Sequence, residues 1–488
     1  MNEELAETGA LEPNLKQIAL GLEQFLKFEH ADAYSNKSIW EKELNEDLPQ
    51  KGCGLEAMLK ILTETVIPNG SPVTNPGFSA FITTGATTAS ALASTAAHIA
   101  APQRYLGTAF NYLEELSLQW LTEMFSIPQF KGVYSSGGSV ANLVALGAAR
   151  QYCFENIGVD PAADGINRQV AIYASEDCHH TIQRSAGVLG MGRKSVKIIA
   201  CDPHGKIDLK ILETTLQQDI QQNILPMAIV ANAGSTDTGA IDPIKALAKI
   251  AKQHHIWFHV DGAYGLPGIL DPRISHLYEG IEEADSIIVD PHKWLGASIG
   301  IAATFVKDRE ILKRAFTQEA ADYLEGSAVD ANDENELIEH SLDDFGIPYF
   351  DYGVELSAPC RGVIVWAMLK EIGVEGMRKR IIRHNDMALY IADFCEKHPN
   401  LEVLNPPTLS ICCFRYIDDR IKDLDQLNQK LLRQLIRENV YMPSATKVED
   451  KFAIRPCYVG ARTEMKHAEG MMQSILAIGA KLVEDFNA

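Results

Sequence analysis

Between residues 170 and 306, short apolar runs alternate with helical patterns, and this alternation restricts the possible folds more than any other feature of the chain. The runs 170–174, 196–200, 227–231, 256–260, 287–289 and 300–306 read as strands, with helical spacing at about 180–189, 209–216 and 244–251 among them. The strand-like runs lack polar alternation, as expected where both faces of a sheet are covered. Alternation at this spacing predicts an α/β architecture with a large, mostly parallel sheet. Upstream, an amphipathic helix covers 113–125, and a short strand at Tyr134 gives way to Gly137, Gly138 and a helix running through Arg150. Downstream of about residue 370, strands at 411–416 and 452–455 lie among helices at 378–396, 425–438 and 466–484. These predict a compact C-terminal α+β domain of two or three strands. The division expected is an N-terminal helical segment at 1–74, a large domain at 75–370 and a small one at 371–488.

Length and charge narrow the class. A chain of 488 residues can bury one large core and a smaller one. Its formal net charge of −21 argues against nucleic acid or an anionic membrane as partner. The first residues carry neither a basic nor an apolar segment, and no apolar run is long enough to span a bilayer, so a cytoplasmic protein is expected. Nine cysteines without metal-ligand spacing read as buried free thiols, and no metal site is expected.

Two of the strands end in chemically useful residues. The run 287–289 stops at Asp290 and Pro291, the residue before a proline being held out of helical geometry, and His292 and Lys293 follow at once. A lone lysine is ordinarily a solvated surface charge. The run 256–260, however, ends in Asp261 followed by Gly262 and Ala263. If the two strands are neighbours, Asp261 and Lys293 share one crevice at the carboxyl edge of the sheet, where α/β folds bind ligands. An amine able to form a Schiff base, beside a buried carboxylate facing a pyridine nitrogen, is the equipment of a pyridoxal-phosphate enzyme. The glycines at 137 and 138 would let backbone approach a ligand, and free N–H groups at the following helix start would offer donors to a phosphate.

Asp290-Pro291-His292-Lys293-Trp294 and His259-Val260-Asp261-Gly262-Ala263 resemble the cofactor-lysine and aspartate motifs of the pyridoxal-phosphate-dependent decarboxylases of the aromatic-amino-acid and glutamate decarboxylase group (group II). The resemblance extends in order from about residue 70 to the last helix. It implies a homodimer of the aspartate-aminotransferase fold (fold type I) with the active site at the subunit interface, and α-decarboxylation of an L-amino acid to its amine and carbon dioxide. Lys293 would carry pyridoxal 5′-phosphate, Asp261 would keep its pyridine nitrogen protonated, and His179 would stack on its ring. Gly137, Gly138 and Ser139 match the phosphate segment, and Thr236 matches a position facing the cofactor. His292 could reach the phosphate or the substrate carboxylate. Ser357 matches a residue that approaches the phosphate from the neighbouring subunit, and the N-terminal helices match an element that wraps the partner.

Tyr323 matches the catalytic-loop tyrosine that returns a proton to Cα. Related aldehyde-forming enzymes carry phenylalanine there, so tyrosine favours simple decarboxylation over an aldehyde synthase, with an aminotransferase of the same fold as a further alternative. The acidic segment 328–340, with five Asp and Glu residues, reads as a solvated loop. Phe78 and Phe81 match the substrate-pocket segment and lean towards an aromatic or otherwise apolar side chain. Asn75 and Gly77 stand where the family often has histidine and arginine, and Ala358-Pro359 replaces a common arginine pair. A non-catalytic interaction protein is the reading from another class, and the joint presence of Lys293, Asp261, His179 and Tyr323 argues against it.

Overall fold

The computed structural model describes residues 10–29, 34–104, 106–317 and 346–487. Tyr323 and the acidic segment at 328–340 lie outside them. The expected large sheet is present with seven strands. They are β2 (Lys131–Ser135), β3 (Val170–Ser175), β4 (Val196–Ile199), β5 (Leu225–Asn232), β6 (Trp257–Asp261), β7 (Ser286–Val289) and β8 (Ala302–Val306). Their order is β2-β8-β7-β6-β5-β3-β4. From β7 to β4 all neighbours are parallel, while β8 runs antiparallel to both β7 and β2. Every residue of β3, β6, β7 and β8 is buried, so both sheet faces are covered, which is why these strands show no polar alternation.

β6 and β7 are adjacent and parallel, with Val260 opposite Ile287 and Asp261 opposite Ile288. Both therefore deliver their last residues to the same edge, as the sequence requires for a shared crevice. The helix Gly138–Glu155 packs across β5, β6, β7 and β8 and starts at that edge. Its buried Ala141, Val144, Ala145 and Ala148 are small enough to let it approach closely.

The C-terminal sheet is larger than the two or three strands expected. It has five, in the order β1-β11-β12-β10-β9: β1 (Phe78–Ser79), β9 (Leu401–Asn405), β10 (Cys413–Tyr416), β11 (Met442–Val448) and β12 (Lys451–Arg455). β1 pairs in parallel with the start of β11, so the segment holding Phe78 is tied to this second sheet. The helix Gly362–Glu396 is broken at Gly373, whose φ of 62° is in the left-handed region. Its Met377 and Ile381 pack in the large core, whereas Met387, Ile391 and Phe394 pack in the small one. The N-terminal helix Leu11–Phe25 buries none of its residues within this chain. Among the described residues, no helix is long and apolar enough to cross a membrane.

Candidate active site

At the carboxyl edge of β5, β6 and β7, beside the first turn of the helix Gly138–Glu155, lies a cavity of about 340 Å³. Its lining includes Gly137, Gly138, Ser139, His179, Thr236, Asp261, His292 and Lys293, eight of the residues singled out in the sequence. Phe78, Phe81 and Ser357 are not in that lining. Phe81 is 67 % exposed, with its ring centroid 6.5 Å from that of Phe78, and Ser357 is exposed on the surface of its own chain.

The lysine loop is built by its neighbours. Lys293 has non-helical backbone angles within the turn Pro291–Leu295, and its Nζ lies 3.0 Å from Asp290 Oδ2. The same oxygen is 3.8 Å from His292 Nε2. His292 Nδ1 lies 2.6 Å from the Ile301 carbonyl, a separation that requires Nδ1–H to donate and leaves Nε2 towards the cavity. Trp294 locks the loop from behind: it is fully buried, stacks on Tyr264 at 5.2 Å, and donates its indole N–H to His384 Nδ1 at 2.9 Å. His384 Nε2–H then donates to the Gly460 carbonyl at 3.1 Å, and burial drives this imidazole well below its usual pKa, keeping it neutral.

Asp261 is buried at the end of β6. Its Oδ1 accepts the Ala263 N–H at 3.1 Å and its Oδ2 accepts Asn142 Nδ2–H at 3.0 Å. The second N–H of the Asn142 amide donates to Thr181 Oγ1 at 3.2 Å, so the Thr181 hydroxyl is free to donate to His179 Nδ1 at 2.8 Å. That arrangement puts the proton of a neutral His179 on Nε2. Burial lowers the pKa of His179, Asp261 opposes the shift, and Lys293 and His180 add to it. The adjacent His180 is exposed, its ring tilted against that of His179 with centroids 4.2 Å apart.

The cavity suits a phosphorylated pyridine aldehyde on three grounds. A helix N-terminus faces it for an anion, an amine stands on one wall, and a buried carboxylate stands on another. Asp290 Oδ1 is also buried without a hydrogen-bond partner. Space is kept deliberately at the glycines: a Cβ on Gly138 would sit 2.7 Å from Asp290 Oδ2, and one on Gly234, at φ 105°, would meet Gly265 Cα at 2.8 Å. Residues that the sequence did not single out complete the site. Asn142 and Thr181 orient Asp261 and His179, Asp290 holds Lys293, and Asn232, Tyr264 and Ile299 add to the lining. Asn142 falls one turn after Gly138 in a stretch already marked for phosphate, but its partners are 117 and 119 residues away.

Fold and pocket together define a pyridoxal-phosphate enzyme of the α/β transferase type. The profile of the pyridoxal-dependent decarboxylase conserved domain matches residues 39–417, and the chain belongs to that family. Its cofactor is pyridoxal phosphate and it is a carboxy-lyase. An aromatic-L-amino-acid decarboxylase of Bacillus atrophaeus is 29 % identical over 454 residues, covering 92 % of this chain and 90 % of that protein. A phenylacetaldehyde synthase of Arabidopsis thaliana is 27 % identical over 373 residues, covering 74 % of this chain and 72 % of that protein. Among solved structures, the Oryza sativa TDC with pyridoxal phosphate and tryptamine superposes with a TM-score of 0.86 at 23 % identity, over 98 % of this chain and 99 % of that one, a likeness of fold.

Proposed function

We propose that this decarboxylase acts on an L-amino acid with an aromatic or otherwise apolar side chain, and that the pocket around Lys293 is where it does so. The observation that carries this reading is the convergence of Lys293, Asp261 and His179, from the carboxyl ends of β7, β6 and β3, on one cavity at a helix N-terminus. Bound there, pyridoxal phosphate supplies the electron sink for the pair left behind when the Cα–carboxylate bond breaks.

The chain's own groups divide the remaining work. Lys293 Nζ anchors the cofactor and yields to the incoming amine. Gly137, Gly138 and Ser139 hold the phosphate with backbone N–H groups, with the macrodipole of the helix Gly138–Glu155 in support. Asp261, its oxygens already fixed by Ala263 and Asn142, keeps a proton on the ring nitrogen. His179, neutral and carrying its proton on Nε2, lies against the ring, and Thr236 faces the ring substituents. His292 serves the phosphate or the substrate carboxylate. Tyr323 supplies the proton to Cα after carbon dioxide departs. We further propose a cytoplasmic homodimer in which the exposed Ser357 reaches the partner's phosphate site and the helix Leu11–Phe25, unburied in one chain, covers the partner.

The aromatic preference rests on Phe78 and Phe81 and on the aromatic-acid relatives; Phe78 and Phe81 stand outside the lining and would meet the distal end of a substrate. Holoenzyme incubated with a pool of amino acids, followed by mass-resolved product analysis, tests it. Aromatic amines with stoichiometric carbon dioxide support the reading. Turnover confined to glutamate, aspartate or a sulfinate would overturn the preference, and aldehyde with ammonia and peroxide would overturn simple decarboxylation.

A further inference from the structure

Behind Asp261, a file of buried polar side chains runs from Asn142 in the cavity wall into the large core: Asn142, His259, Ser286 and Trp257, none more than 6 % exposed. Trp257 Nε1 is 2.8 Å from Ser286 Oγ, which is 2.9 Å from His259 Nδ1; His259 Nε2 is 2.8 Å from Asn142 Oδ1, and Asn142 Nδ2 is 3.0 Å from Asp261 Oδ2. Polar groups this deep cost stability unless each finds a partner.

Both ends of the file force the same direction on it. An indole N–H can only donate, so Ser286 Oγ accepts from Trp257 and its own hydrogen goes to His259 Nδ1. An ionised carboxylate can only accept, so Asn142 turns its NH2 to Asp261 and its oxygen to His259, whose Nε2 must then carry the proton. Every hydrogen bond in the file therefore points towards Asp261. Burial independently pushes the His259 pKa down to about 4, despite the opposing pull of Asp261, so the imidazole is neutral. A file of aligned donors ending on an anion is the arrangement in which hydrogen bonds reinforce one another.

We propose that Asn142 and His259 are positioning residues that, through this one-way file, hold Asp261 oriented as a hydrogen-bonded anion, so that the proton it shares with the cofactor stays on the ring nitrogen. The inference rests on the reading of Asp261 as the partner of that nitrogen. Without the Asn142 donor, Asp261 loses a charge-assisted hydrogen bond and is free to turn. The shared proton then moves towards the carboxylate, and the cofactor loses an ion-pair partner. Other charged or titratable groups facing Asp261 are His179, Lys293 and Cys178. None of them contributes a hydrogen bond to its oxygens among the described residues.

The test uses full-length holoenzyme loaded with pyridoxal phosphate labelled with 15N in the ring. The 15N shift reports protonation of the nitrogen, and a binding titration gives the cofactor Kd. Asn142→Leu and His259→Leu should move the shift towards that of an unprotonated pyridine and raise Kd by about tenfold or more. His259→Gln, whose amide can accept from Ser286 and donate to Asn142, should stay close to the parent. Should Asn142→Leu not fold, the contrast between His259→Leu and His259→Gln decides. Parental shift and affinity in the leucine variants, while Asp261→Asn changes both, would overturn the role of the file and leave Asp261 in place. An unchanged shift in Asp261→Asn would overturn the reading of Asp261 and this inference with it.

Discussion

Replacing Arg455 with methionine should loosen the cofactor pocket without touching a residue that lines it. Arg455 closes β12 at 3 % exposure, and its guanidinium bridges three segments. Nε–H donates to the Asp237 carbonyl at 2.9 Å, Nη1–H to the Phe81 carbonyl at 3.1 Å and to Ser444 Oγ at 3.2 Å, and Nη2–H to the Thr236 carbonyl. Thr236 lines the pocket, so the loop around it is held from behind by this one side chain. Hydrogen bonds from a charged donor contribute about 1.5–3 kcal/mol each. The loops at Thr236 and Phe81 are exposed enough for water to replace part of that, so a total loss of about 3 kcal/mol is expected rather than the sum. For a chain of this size that corresponds to a melting temperature lower by about 3–6 °C, and freeing the Thr236 loop should weaken pyridoxal phosphate binding by about tenfold. Arg455→Lys should recover little, because an ammonium cannot present the planar fork that reaches three carbonyls at once. Scanning calorimetry and a cofactor titration on both variants provide the check. A methionine variant melting within a degree of the parent, with parental affinity, would refute the reasoning.

Other outcomes follow from the same geometry. Gly138→Ala should fold but bind the cofactor more weakly, because the new methyl would press on Asp290 Oδ2 from 2.7 Å; dialysis followed by absorbance measures the retained cofactor. His384 is neutral in the fold and ionises in the unfolded chain below about pH 6.5, so the unfolded state binds the extra proton and stability falls as pH drops from there towards the much lower folded pKa. Asp177 and Asp242, both pushed up to about 6, act in the opposite sense below pH 6, so the parent alone does not isolate the histidine. The difference in denaturation free energy between parent and His384→Leu should instead change with a slope that approaches about 1.4 kcal/mol per pH unit as the pH falls from about 6.5 to about 5. Tyr323→Phe should leave cofactor binding intact while slowing amine release or diverting product to aldehyde; an amine rate equal to the parent would remove Tyr323 from the protonation step.

The large sheet was legible in the sequence because its strands are buried on both faces and so appear as continuous apolar runs; β6 and β7 gave away Asp261 and Lys293 by ending in charge. The small sheet was half hidden for the opposite reason. After Met442 and Pro443, β11 alternates half-buried and exposed positions, contains Lys447, and reads like a loop, while β1 is only two residues long and exists through its pairing with Met442 and Pro443. In the site, the lining residues Asn232, Tyr264 and Ile299 went unmarked, while Lys293, Asp261, His179, His292, Thr236 and the segment 137–139 stand in short local motifs and were singled out. Those that hold them, Asn142 on Asp261 and Arg455 on the Thr236 loop, act across 119 and 219 residues of sequence, a separation that local patterns do not encode. Asp290 stood in plain sight beside Lys293, yet only the fold shows that its Oδ2 meets Nζ at 3.0 Å.

The central claim is that the cavity around Lys293 is the cofactor site. Reduction of the holoenzyme with borohydride, proteolysis and peptide mass mapping test it most directly. The account predicts a phosphopyridoxyl group on Lys293, in the peptide containing Asp290 and Trp294, and none in Lys293→Ala. An active enzyme whose label falls on another lysine would contradict it.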